Sequence, residues 1–212
     1  MKRNKSLAVI RQSNIDVNKR RIAYHEAGHA VAILINNELK QLPPLFFQIN
    51  IYDLAHTSTT DFSAEVEGGR LINHVPESFD FFIEKTGNNH TNGSFLTAFI
   101  ADIVNLLIGP LVEAKYMAIN EGKIFNKNLI SGDALHNYGG TSDLALINDY
   151  LVCFSKDKNK QGELLTEFID QAFDFIDYSG SWGKISILAE YIINEDIETI
   201  DCNEIIELLS LH

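Results

Sequence analysis

Residues 24 to 34 read YHEAGHAVAIL, two histidines four apart with a glutamate beside the first, in an otherwise apolar run. On an α-helix each residue turns about 100°, so positions 25 and 29 differ by roughly 40° and one turn of rise. Both imidazoles therefore leave one face. Ala23, Ala27, Ala30, Val31, Leu34 and Ile35 recur at helical spacing, which predicts a buried helix over about 17–36 that ends at Asn36, Asn37 and the following Leu-Pro-Pro. Polar groups carried into a core need partners, and a metal ion provides one. Two neutral imidazoles at this spacing can ligate a single Zn2+, while Glu26 can reach a water at that ion. His25 and His29 are thus candidate metal ligands and Glu26 a candidate catalytic base. The competing reading is a helix with two surface histidines and a glutamate, and the small apolar flanks weigh against it.

A catalytic zinc site takes a third protein ligand and keeps one position open. Ile35 stands where a third histidine would follow in the extended motif, so that class of metalloprotease is excluded. His56, His74, His90 and His136 fall in expected strands or loops with no supporting spacing and read as surface residues. Two carboxylates are better placed. Glu113 lies in an apolar helical run, GPLVEAKY, and Asp143 follows YGGTS in the first turn of a helix, where it would also serve the helix dipole. Residue chemistry alone does not choose between them.

The remaining pattern is mainly α with a small β-sheet, an α+β chain. LFFQINIYD and STTDFSAEVEG are rich in β-branched and aromatic residues and place the sheet at about 44–75. The stretch around residues 76–93 reads as a short helix and then a turn-rich loop at Gly87, Asn88, Asn89, Asn92 and Gly93. A long buried helix should follow from about residue 94, interrupted or kinked at Gly109 and Pro110. Residues 120–140 read as loop. Thr141 or Ser142 is expected to cap the next helix, and further helices are expected near 161–178, 182–194 and 203–211. No repeat or linker divides the 212 residues, which predicts one domain.

A net charge of −12 argues against nucleic-acid binding through phosphate neutralisation. The basic run NKRR is expected to decorate an exposed helix start. Asp102, Asn105 and Glu113 interrupt the longest apolar stretch, so no membrane insertion is expected. Cys153 and Cys202 are the two cysteines, and no secretory leader pattern opens the chain. A cytoplasmic setting with buried thiols follows.

KRRIAYHEAGHAVAILI resembles the zinc helix of the M41 peptidases, the proteolytic part of the membrane-bound AAA+ protease FtsH. Tyr24 and the Ala27-Gly28 pair both fit. LLIGPLVEAKY is similar to that family's glutamate-bearing helix, YGGTSDLALINDYL to its Thr-Gly-Ala-x-x-Asp-Leu segment, and ISILAEYIINEDIETIDCNEIIELL to its closing helices. The resemblance spans about residues 17–210 and departs at Gly109-Pro110-Leu111 and over 42–92. It implies a zincin-like helical peptidase domain in which Asp143 is the third zinc ligand and Glu113 supports the ligands from behind. It also implies Zn2+ as cofactor and peptides or unfolded protein segments as substrates. No ATPase or transmembrane part accompanies the peptidase region here, so a separate ATPase in trans and a homo-oligomer stand open as partners. Two rival readings are a catalytically silent metal-binding interaction scaffold and a regulatory metalloprotease that cuts one specific partner.

Overall fold

The structure, a computed structural model, describes residues 3–53, 62–78 and 89–211, with side chains from residue 16 onward apart from those of 53 and 89–92. Helix α1 (Arg3–Leu39) is followed by strands β1 (Phe47–Asp53) and β2 (Phe62–Gly68) and the long helix α2 (Asn89–Asn120). Two short 3-10 turns (Lys127–Leu129, Gly132–Asn137) lead to α3 (Thr141–Phe154), α4 (Lys158–Asp177) and α5 (Ser179–Asn194). Strand β3 (Thr199–Asp201) and helix α6 (Cys202–Ser210) close the chain. The fold is mainly helical with one small antiparallel sheet of order β2-β1-β3.

Helix α1 packs along α2 and α5, and small residues make the approach close. Ala23, Ala27 and Ala30 are fully buried, and a Cβ on Gly28 would stand 3.1 Å from Val112 and 3.3 Å from the Gly109 backbone. Around this contact Phe47, Ile49, Phe99, Ile103, Leu107, Ile108, Leu111 and Tyr150 form the core.

Several expectations need correction. Helix α1 extends at both ends. Asn36 and Asn37 do not stop it, because both are buried and pair with the Asn105 amide on α2, Asn36 Nδ2 to Oδ1 at 2.8 Å and Asn105 Nδ2 to Asn37 Oδ1 at 3.2 Å. The chain turns only at Gln41, whose φ of 55° is left-handed. NKRR is not mere decoration, since Arg20 donates to Glu190 at 2.7 Å and Arg21 clasps Glu113.

The expected loop at Asn89, Asn92 and Gly93 is the first turn of α2, whereas Gly87 and Asn88 lie outside the described residues. Helix α2 runs unbroken through Gly109 and Pro110, because tertiary packing of Leu107, Ile108, Leu111 and Val112 outweighs the one hydrogen bond that proline removes. At α3 the cap position is Gly140 with no side-chain hydrogen bond, and Thr141 is already helical. The sheet gains its third strand from the C-terminal segment.

By length and composition α2 could cross a membrane, since an 18-residue window within Gly93–Asn120 has a mean hydropathy of 2.0, yet two thirds of that window is buried against the other elements. Both cysteines are free and buried.

Candidate metal centre

His25 and His29 project from α1 toward α2 and the start of α3. Each ring is fixed through Nδ1. His25 Nδ1 meets Glu113 Oε2 at 3.2 Å, and His29 Nδ1 meets the Asn105 carbonyl at 2.9 Å. Both partners are acceptors, so both Nδ1 atoms carry the hydrogen and both Nε2 atoms present lone pairs when the rings are neutral. Those Nε2 atoms stand 3.1 Å apart. Asp143 completes the triangle, Oδ2 at 3.2 Å from His25 Nε2 and Oδ1 at 3.5 Å from His29 Nε2.

Two imidazole nitrogens and a carboxylate converging at this distance repel one another unless a cation sits among them. A tetrahedral ion with bonds of about 2.0–2.1 Å spaces its ligand atoms about 3.3 Å apart, close to the Nε2–Nε2 separation and to the distance from each Nε2 to its nearer Asp143 oxygen. His25, His29 and Asp143, all buried, can hold a metal ion. The electrostatics agree. Burial alone would lower the His25 pKa, but Asp143 and Glu113 outweigh it and push it up to about 10. His29 is likewise raised by Asp143 against its burial, and the two histidines hold the Asp143 carboxyl well below the usual carboxylate range although burial opposes this. The pocket is built to hold positive charge.

Of the two carboxylates that residue chemistry left open, both touch His25. Asp143 meets Nε2, the nitrogen that a metal ion would share, and Glu113 meets the opposite one. Glu113 is in turn held by Arg21, through Nε at 2.9 Å and Nη2 at 2.6 Å to Oε1. Arg21 is four residues before His25, on the stripe that continues to His29, so helical spacing could have pointed to it. Asn105 carries no comparable signal, because its backbone carbonyl does the work.

Two glycines let α2 and the α3 approach come this close. A Cβ on Gly109 would collide with the His29 imidazole. Gly139 has a φ of 70°, and a Cβ there would meet Glu113 Oε2 at 2.9 Å and His25 Nδ1 at 3.1 Å.

Glu26 lies on α1 beside the metal donors, and its Oε2 accepts the Val66 backbone N–H of β2 at 2.9 Å. Burial raises its pKa, with the nearby histidines and the Val66 bond acting against the rise. Its carboxylate faces a cavity of about 640 Å3 that runs between α1, the free edge of β2 and the start of α3. The backbone after β2 is pinned by buried Asp102, which accepts from Leu71 N at 2.9 Å, Ile72 N at 2.8 Å and the Tyr150 hydroxyl at 2.9 Å. In the sequence Asp102 registers only as a charge inside an apolar run.

Among the described residues no other histidine joins this centre. His74 and His136 are exposed, His56 lies outside the described residues, and of His90 only the backbone, in α2, is described. No family model, curated protein or solved structure matches this chain.

Proposed function

We propose that the protein is a zinc-dependent metallopeptidase with a zincin-like, M41-type site. The observation that carries the reading is the convergence of His25 Nε2, His29 Nε2 and the Asp143 carboxylate at the mouth of a cleft that also holds Glu26 and an open strand edge. A donor set of two imidazoles and one carboxylate suits zinc and leaves a coordination position open. Zinc bound there would supply Lewis acidity at a scissile carbonyl and acidify the attacking water.

The chain's own groups supply the rest. The Glu26 carboxylate takes the proton of the attacking water and returns it to the leaving amine, and its burial brings its pKa toward the working pH. Glu113, held by Arg21, and the Asn105 carbonyl keep both imidazoles in the tautomer and orientation that ligation requires. Strand β2 is the sheet edge nearest the centre, and its outward backbone groups can receive an extended peptide or an unfolded protein segment.

The test is metal analysis of the purified chain together with a Glu26→Gln variant. Stoichiometric zinc in both, with peptide cleavage in the parent and a loss of about 10²- to 10⁴-fold in the variant, is the expected outcome. Undiminished cleavage by Glu26→Gln would sink the assignment.

One observation favours a second reading. The Glu26–Val66 hydrogen bond ties helix to strand, a structural use of the glutamate that a silent metal-binding scaffold would also need. Bound zinc with no turnover on any unfolded protein would select it.

A further inference from the structure

The outward edge of β2 carries more than backbone groups. Val66 gives its N–H to Glu26 and not to β1, so in the antiparallel β1–β2 ladder the Ile49–Val66 pair is a non-hydrogen-bonded one. The alternation then makes Glu65–Asn50 and Glu67–Gln48 the hydrogen-bonded pairs, with the Glu65 and Glu67 backbone turned toward β1. On the free edge these two positions are therefore the non-hydrogen-bonded sites of any antiparallel strand that docks. At such sites Cα atoms approach to about 4.5 Å and side chains lie closest.

Both side chains stand on the exposed face of the strand, opposite the face that packs on α1. Glu65 accepts from the Tyr52 hydroxyl at 3.2 Å, and Glu67 accepts from the Gln48 and Asn50 amides at 3.0 Å each. These neutral donors hold the carboxylates in place without cancelling their charge. Among the described residues neither carboxylate meets a lysine or arginine. A strand lying along β2 thus sets two of its own residues, spaced i and i+2, against two carboxylates that meet no cation among the described residues, and opposite charges across a strand pair are favoured while like charges are not.

We infer that Glu65, which lines the cleft, and Glu67 next to it along β2 determine specificity at this strand edge, selecting extended peptide segments with lysine or arginine at alternate positions. The inference rests on the peptidase reading for its use, but its recognition step can be read without cleavage. It also differs from a general attraction of basic peptides to a chain of net charge −12, because bulk attraction is indifferent to spacing.

The experiment uses the zinc-loaded full chain and three synthetic peptides of one host sequence, carrying Lys-x-Lys, adjacent Lys-Lys or Glu-x-Glu. Binding is measured by fluorescence anisotropy to the Glu26→Gln variant, and cleavage is followed with the parent. Lys-x-Lys is expected to bind about 2- to 5-fold more tightly than Lys-Lys, and Glu-x-Glu most weakly, a range set by the one cross-strand charge pair that adjacent lysines forgo. In a Glu65→Lys/Glu67→Lys protein the order should invert. An order unchanged by that double substitution, or equal binding of Lys-x-Lys and Lys-Lys, overturns the inference. If the binding order holds and no peptide is cut by the parent, the inference stands and the peptidase reading falls.

Discussion

The candidate metal centre depends on single atoms that the residue pattern does not advertise. Gly109 is the sharpest case, since one added methyl meets the His29 ring. Replacing glycine by alanine inside a helix ordinarily favours the helix by about 1 kcal/mol, so Gly109→Ala should leave helicity intact while displacing His29. We expect unchanged far-ultraviolet circular dichroism and zinc affinity reduced at least about 10-fold, the scale seen when a ligand's support is disturbed. Wild-type affinity measured with a competing chelator would show that His29 is not a ligand. His25 and His29 were legible because a four-residue spacing encodes a shared helical face. Asp143 sits far along the chain, and only the resemblance, not local chemistry, preferred it to Glu113.

At the scale of elements, α1 presents Arg21, His25 and His29 on one stripe, and α2 answers with Glu113, Gly109 and Asn105. The two histidines and their supports thus come from two helices that can meet only where both carry small residues, and Asp143 joins them from α3. Glu113→Ala removes the acceptor of His25 Nδ1 and leaves Arg21 only the Asn137 carbonyl, at 3.4 Å. Zinc affinity should fall by about 10- to 100-fold, and Arg21→Ala should fall in the same direction by less, because Glu113 would still face His25. Equal affinity in the parent and Glu113→Ala would reduce the contact to packing. The helices were readable from periodicity because their buried positions repeat. Strand β3 was not, since three residues, Thr199–Asp201, are too few for an alternating pattern and acquire strand form only by pairing with β1. The α1 end departs from its local signals for a related reason. Asn36 and Asn37 are helix-ending residues locally, and their buried bonds to Asn105 override that tendency.

For the whole molecule, the centre joins α1, α2 and α3, so loading it should stabilise the fold as a unit. A ligand that binds only the folded state adds about 2.7 kcal/mol at 100 times its Kd, and for a chain of this length each kcal/mol moves Tm by about 2–4 °C. Zinc should therefore raise Tm by roughly 5–10 °C, and a chelator should reverse the rise. The gain should also depend on pH in a fixed direction. In the metal-free protein the His25 pKa is raised from 6.5 to about 10, so its proton stabilises the folded state fully below about 6.5, and this contribution is lost as pH rises through about 10. Zinc must displace that proton. The metal-free protein should thus weaken across this window while zinc binds more strongly, so that the zinc-induced rise in Tm grows from pH 6.5 to 9. Titration calorimetry in buffers of different ionisation enthalpy should find protons released on zinc uptake at pH 7.5. A Tm rise that shrinks with pH, or uptake without proton release, would mean that the imidazoles are already neutral in the metal-free protein and that Asp143 does not hold a proton on His25.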